Sequence, residues 1–174
     1  MNHQPHPIRI REGAPDDAEF FLEVEEQTTW ENLPPDKARR MPREQLRAKL
    51  LETHGLLLEC PGNIFFIAEN STTGDRAGLL WLGPRHNLLT GEHEAWIYNV
   101  TVVPQCRGCG VAKMLMAHAE EYARTQGYNV IGLSVAVHNE IARGLYQRLA
   151  YSESNILMRK SLVEATTDFQ GNAA

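Results

Sequence analysis

No stretch of this chain approaches the roughly 18 consecutive apolar residues that a membrane-spanning helix requires, so the sequence predicts no membrane partner. Cysteine is scarce: three residues, Cys60, Cys106 and Cys109, in 174. An odd number so spaced argues against a disulfide framework and for a reducing, cytoplasmic setting. Positive charge is also short, with 17 Lys and Arg against 22 Asp and Glu, a net charge of −5. That balance argues against nucleic acid as a partner. It would sooner draw amines, although net charge identifies no substrate. The opening Met1 to Pro7 lacks the apolar core of a signal peptide, and no internal repeat or low-complexity linker occurs.

What is present is an ordinary globular balance, 43% hydrophobic and 22% charged, in a length suited to one core. The expectation is a single domain over 1–174, ordered from about residue 8 to about residue 162, with a small, polar, flexible tail over 163–174. A first strand is expected at Ile8–Arg11. A helix follows from Ala14-Pro15-Asp16-Asp17, with acids at its positive end, to about Trp30. Pro34, Pro35 and Pro42 mark a loop over 31–42, and Leu46, Leu50 and Leu51 a second helix ending near Gly55. Asn63–Asn70 and Ala77–Gly83 read as strands joined by the turn-rich Ser71–Asp75. A polar stretch, Pro84–His93, carries a Thr90-Gly91 turn. Later come a strand at Val130–Val137, a helix at Asn139–Leu149 and a last strand at Ser154–Leu162.

The organising stretch is Glu94–Met116. Ala95–Val103 is rich in β-branched and aromatic residues and stops at Pro104. Gly108 and Gly110 then open a helix whose apolar face is Ala112, Leu115, Ala119, Tyr122 and Ala123, capped by Gly127. A glycine turn feeding a helix start aims unpaired N–H groups one way, a seat for a phosphate or pyrophosphate. The Walker pattern is missing, because no Gly-Lys-Ser/Thr closes the loop. The dinucleotide pattern is missing too, since Lys113 stands where its third Gly should be.

Arg107-Gly108-Cys109-Gly110-Val111-Ala112 resembles the acyl-CoA loop of the GNAT superfamily of N-acetyltransferases, Arg/Gln-x-x-Gly-x-Gly/Ala. An overlapping register from Gln105 also fits; Pro104, three residues before Arg107, favours the first. Downstream, Asn139-x-x-Ala142-x-x-Leu145-Tyr146-x-x-x-Ala150-Tyr151 resembles the family's second motif, with Ala150 in place of a Gly. The resemblance covers roughly residues 8 to 161 and is specific over 94–151. It implies an α/β fold: a mixed, mostly antiparallel sheet, splayed at a central strand pair where the cofactor enters, with helices on both faces.

The resemblance also implies a site. Backbone groups of Val100, Thr101 and Val102 would pair with the pantetheine arm of acetyl-CoA, and a bulge near Tyr98 and Asn99 would aim N–H groups at the acetyl carbonyl. The pyrophosphate would rest on Arg107, Gly108, Cys109, Gly110, Val111, Ala112 and Lys113. Asn139 is a good helix N-cap and in the family also bonds the pantetheine. Tyr146, two turns further on, would be the general acid for the CoA thiolate; otherwise it is a packed helix tyrosine. Glu94, eleven residues before Gln105, has the spacing of the base in the histone-acetylating branch; otherwise it is a solvated strand-end carboxylate. Glu92 and His93 are neighbouring substitutes. The base position of the ribosomal-protein branch, five residues before Asn139, is Ser134 here. Some members have no single essential base.

Cys106-x-x-Cys109 supplies at most two zinc ligands, and His118 and His138 have no known module spacing around it, so no metal is expected. A redox pair is a minor reading; the resemblance implies that both cysteines simply occupy variable positions of the acyl-CoA loop. The functional expectation is direct transfer of acetyl from acetyl-CoA to an amine: a small molecule, an amino acid, a protein N-terminus, a lysine or an aminoglycoside. The alternatives are a CoA-binding sensor without catalysis and a relative using another acyl group. Homodimers are common in the family. The acceptor would be chosen by residues 14–60, where the resemblance says least.

Overall fold

The computed structural model of the protein describes residues 7–33, 42–58, 61–87, 91–158 and 160. Five strands, β1 (Ile8–Glu12), β2 (Ile64–Asn70), β3 (Arg76–His86), β4 (His93–Val102) and β5 (Ile131–Leu133), lie in the order β1-β2-β3-β4-β5. The first three pairings are antiparallel, and β4 with β5 is parallel. The sheet is therefore mixed and mostly antiparallel, as expected.

β3 lies at the centre and is buried from Ala77 to Gly83, so it reads as a continuous apolar run rather than an alternation. Its side chains serve two cores. Leu80 and Leu82, with Phe66, Ala68, Ala95 and Ile97, face helix α3 (Val111–Thr125), which buries Val111, Leu115, Met116, Ala119 and Ala123. That helical spacing of apolar residues is what docks α3 on the sheet. Leu79 and Trp81, with Ile67, face α1 (Ala18–Asn32), whose Phe21 and Val24 complete the second core. Helix α2 (Arg43–Leu58) joins that side through His54, whose ring meets Phe21 and Trp81, and it buries Leu46. It runs through Gly55, the residue expected near its end, because a glycine in a helix costs only about 1 kcal/mol and does not stop it.

Arg11 of β1 ties the start of α1 to the sheet. It donates to Asp17 at 2.7 Å and to Glu69 of β2 at 2.7 Å, while Arg76 of β3 donates to Asp17 at 2.6 Å. Both carboxylates are buried, and their arginine partners hold them below the usual carboxylate range, with Arg11 the largest influence on each.

Two expectations change. β5 stops at Leu133 instead of Val137, because the chain turns at Ala136, whose carbonyl accepts from Asn139 N–H at 2.9 Å, to start α4 (Glu140–Arg148). The strand expected over Ser154–Leu162 is not formed at 154–158 or 160. Ile156, Leu157 and Met158 are consecutive rather than alternating, so they cannot share one sheet face, and all three are exposed. Residues 159, 161 and 162, the expected tail from Val163, and the loop over 34–41 lie outside the described residues.

Candidate acyl-donor and amine site

β4 sets the geometry. Trp81 pairs with Asn99 and Leu82 with Ile97, which leaves Tyr98 as the extra residue of a bulge. The bulge expected near Tyr98 and Asn99 is present, and it puts both side chains on the α1 face. Tyr98 packs on Trp81, ring centroids 5.1 Å apart, and Asn99 donates to Glu25 of α1 at 3.0 Å. On its other edge β4 meets β5 only over Ala95–Ile97. Gly132 lets the Trp96 ring lie across the closed end of this pair, since a Cβ there would stand 2.6 Å from the ring. Beyond Ile97, β4 runs on through Val100, Thr101 and Val102 with no strand on that edge among the described residues. The pair is splayed, as expected.

The glycine loop follows β4 and leads into α3. Gly108 and Gly110 take φ of 78° and 83°, the left-handed region that L side chains avoid. A Cβ at either would meet nothing within 4 Å, so the loop's outer side is open. Met114 N–H is the first in α3 to find a helical acceptor, Gly110 O at 3.1 Å. The N–H groups of Val111, Ala112 and Lys113 are therefore the open donors of the helix start. Cys109 and Lys113 are exposed beside them. Arg107 points back: it donates to Val102 O at 3.2 Å and to Glu31 of α1 at 3.0 Å, joining the loop to that helix. Cys106 and Cys109 are free thiols, and burial pushes the Cys106 thiol up. Among the described residues no three His, Cys, Asp or Glu side chains form a cluster that could hold a metal.

Asn139 caps α4, its side-chain oxygen accepting from Ala142 N–H at 3.1 Å. Tyr146 packs into the same core cluster as Ile97, Val100 and Leu133. Burial raises its hydroxyl above the ordinary tyrosine value, so it remains protonated and a donor at neutral pH. Glu94 stands at the far end of β4, opposite Arg85, and accepts from Asn87 at 2.6 Å. Four residue steps along the strand, about 13 Å, separate it from Tyr98. Glu92 and His93 are exposed next to it. Ser134 is exposed just past β5.

One polar cluster had no sequence signal. On the α1 face, Thr101 donates to Asn99 Oδ1 at 2.7 Å, Asn99 donates to Glu25 Oε1, and Glu25 Oε2 pairs with His54 Nε2 of α2. The His54 ring stacks on Phe21 at 4.4 Å and meets Trp81 edge-on at 5.5 Å. Three elements contribute, and the residues are 29 and 74 positions apart in sequence, a distance no motif spans.

A bulged strand splayed from a parallel neighbour, followed by a left-handed glycine loop and a helix start, on a mixed sheet covered by helices on both faces, defines an α/β protein. The sequence model of the acetyltransferase (GNAT) family matches residues 22–151, and the chain belongs to that family. It is 37% identical over 102 residues to the uncharacterized N-acetyltransferase YdgE of Bacillus subtilis, an alignment spanning 58% of this chain and 62% of that relative. To YycN of the same organism, also an uncharacterized N-acetyltransferase, it is 34% identical over 90 residues, 51% of this chain and 55% of that one. The chain thus spans little more than half the length of these relatives. In fold it matches a putative acetyl transferase from Pyrococcus furiosus, TM-score 0.78, 23% identity, covering 90% of this chain and 100% of that one. It also matches the aminoglycoside N-acetyltransferase AAC(6')-Iy in complex with CoA, TM-score 0.67, 18% identity, covering 94% and 100%. Among the described residues no helix is long and apolar enough to cross a membrane.

Proposed function

We propose that this protein transfers acetyl from acetyl-CoA directly to a primary amine. The observation that carries the reading is the glycine loop that follows β4, with Gly108 and Gly110 left-handed and the first N–H groups of α3 without a helical acceptor. In this reading the pyrophosphate rests on the N–H groups of Val111, Ala112 and Lys113, where the positive end of the helix favours it. The pantetheine lies along Val100–Val102 and takes the place of a strand. The acetyl carbonyl meets the β4 bulge at Tyr98 and Asn99, whose N–H groups stabilise the tetrahedral oxyanion.

Once the C–N bond forms and the C–S bond breaks, the Tyr146 hydroxyl donates a proton to the leaving thiolate and is reprotonated from solvent. Glu94, the base that the family resemblance implies, lies too far from the bulge to meet the amine directly and would serve only through a relay of water. Asn139 holds α4, and with it Tyr146, at the cleft.

Calorimetric titration with acetyl-CoA and with CoA tests the donor seat. Gly110→Glu abolishes binding, but φ of 83° strains any side chain there, so Lys113→Glu is the cleaner variant. Lys113 is exposed, and reversing its charge weakens binding at least tenfold with the thermal midpoint unchanged. Wild-type protein that binds neither ligand would remove the foundation of the reading.

A further inference from the structure

The side chains of Glu25, His54, Asn99 and Thr101 form a cluster that the donor seat, built from backbone groups of β4 and the loop, does not use. The cluster is set into a face otherwise made of Phe21, Val24, Ile67, Leu79 and Trp81. Burying a histidine and a carboxylate among aromatic rings is costly unless their hydrogen bonds are completed. Here they are. Because Asn99 Oδ1 accepts from Thr101, its amide nitrogen must point at Glu25. With Nε2 protonated, His54 donates to the other carboxylate oxygen. The His54 side chain is 8% exposed and that of Glu25 12%, so each keeps only a small part of its surface open. The fold's own ion-pair staple, Arg11 with Asp17 and Glu69, lies elsewhere and does not involve this pair.

We propose that Glu25, held by His54 and Asn99, receives the proton of the acceptor's ammonium group and presents the neutral amine to the bulge of β4. This rests on the acetyltransferase reading above. Asn99 is a bulge residue and bonds Glu25 directly, whereas Glu94 is about 13 Å up the strand. A base must come within about 3 Å of its proton, or within one water of it, and Glu25 is the carboxylate bonded to a bulge residue. The ammonium gives one proton to Glu25, and the freed lone pair forms the C–N bond at the thioester carbon. The second N–H proton leaves to solvent as the C–S bond breaks, and the thiolate takes its proton from Tyr146. Glu25 then returns its proton to water. Glu25 is the catalytic residue; His54 and Asn99 are positioning residues.

The groups packed on the pair are Phe21 from α1, Trp81 from β3 and Asn99 from β4. The adjoining ionisable side chains of α1 and α2 are engaged with each other: Arg47 donates to Glu26 at 3.2 Å and to Glu19 at 2.7 Å. Tyr98 donates its hydroxyl to Pro84 O at 3.1 Å.

The test compares wild type with Glu25→Gln, His54→Gln, Glu94→Gln and, as a control on the exposed side of α1, Glu23→Gln. Each is titrated with acetyl-CoA by calorimetry. Each is then assayed by chromatography for CoA formed with L-lysine, a free-amino tripeptide, spermidine and kanamycin from about pH 6 to about pH 10. Glu25→Gln lowers kcat/KM for the best acceptor about 100-fold near neutral pH, and His54→Gln about tenfold, with acetyl-CoA affinity and thermal midpoint retained. The deficit shrinks as pH rises toward the amine's own pKa of about 10.4, where the amine needs no base. A packing defect would be the same at every pH. Activity of both variants within threefold of wild type overturns the proposal. So does a pH-independent loss, a pH-dependent loss confined to Glu94→Gln, or a wild type that binds acetyl-CoA yet acetylates none of the four amines. Failure of wild type to bind acetyl-CoA is the separate result that removes the donor reading.

Discussion

Helices α3 and α4 end in the same turn, made by different residues. After α3, Gly127 takes φ of 83° and Tyr128 N–H reaches back to Ala123 O at 3.0 Å. After α4, Ala150 takes φ of 66° and Tyr151 N–H reaches Tyr146 O at 2.9 Å. Ala150 occupies the place of the Gly in the family's second motif, and the backbone keeps the left-handed geometry anyway. An L residue there costs about 1–2 kcal/mol, part of which a glycine would give back in chain entropy. Ala150→Gly therefore stabilises the fold by about 0.5–1 kcal/mol, measured as a higher urea midpoint with an unchanged slope. Asn139 as N-cap was legible in the sequence because cap, Ala142, Leu145 and Tyr146 are local. Glu25 and His54 were not, because their meeting depends on how α1 and α2 cross the sheet.

Among the elements, α3 was the most legible, since its buried residues repeat at helical spacing and glycines bracket it. The central strands were legible as apolar runs. β5 was read too long and the last strand was read where none is described, because short apolar runs carry no information about a partner edge. The first turn of α1 carries its own prediction. Asp17 is held below the ordinary carboxylate range, so its contribution is complete above an unfolded pKa of about 3.9 and is lost as pH falls below it. Asp17→Asn costs about 2 kcal/mol at neutral pH, less than a fully buried pair because Arg11 and Arg76 keep 32% and 36% of their side chains exposed. In denaturant melts the gap between wild type and Asp17→Asn narrows from about pH 5 downward. A gap that stays constant to about pH 2 contradicts the assignment.

At the scale of the molecule, family and architecture were legible from two separated motifs, while the resemblance said least about residues 14–60. A donor that docks between β4 and β5 binds the folded state alone. Acetyl-CoA at about a hundredfold its Kd then adds about 2.7 kcal/mol. For a chain of this size that raises Tm by roughly 5–10 °C. A scan with acetyl-CoA that leaves Tm in place contradicts the docking.

Each strand of the sheet neighbours the next strand in the chain, but the joints are unequal. β3 and β4 register over nine residue pairs, whereas β4 and β5 share three and need the α3 crossover to meet. The last joint is thus the one whose loop-closure entropy is least repaid by pairing. The expected outcome in hydrogen exchange is that backbone amides of β5 exchange through a local opening, while those of β3 wait for global unfolding. A ligand wedged at that joint lengthens the sheet in effect, and order spreads from the cleft into the least cooperative part of the chain.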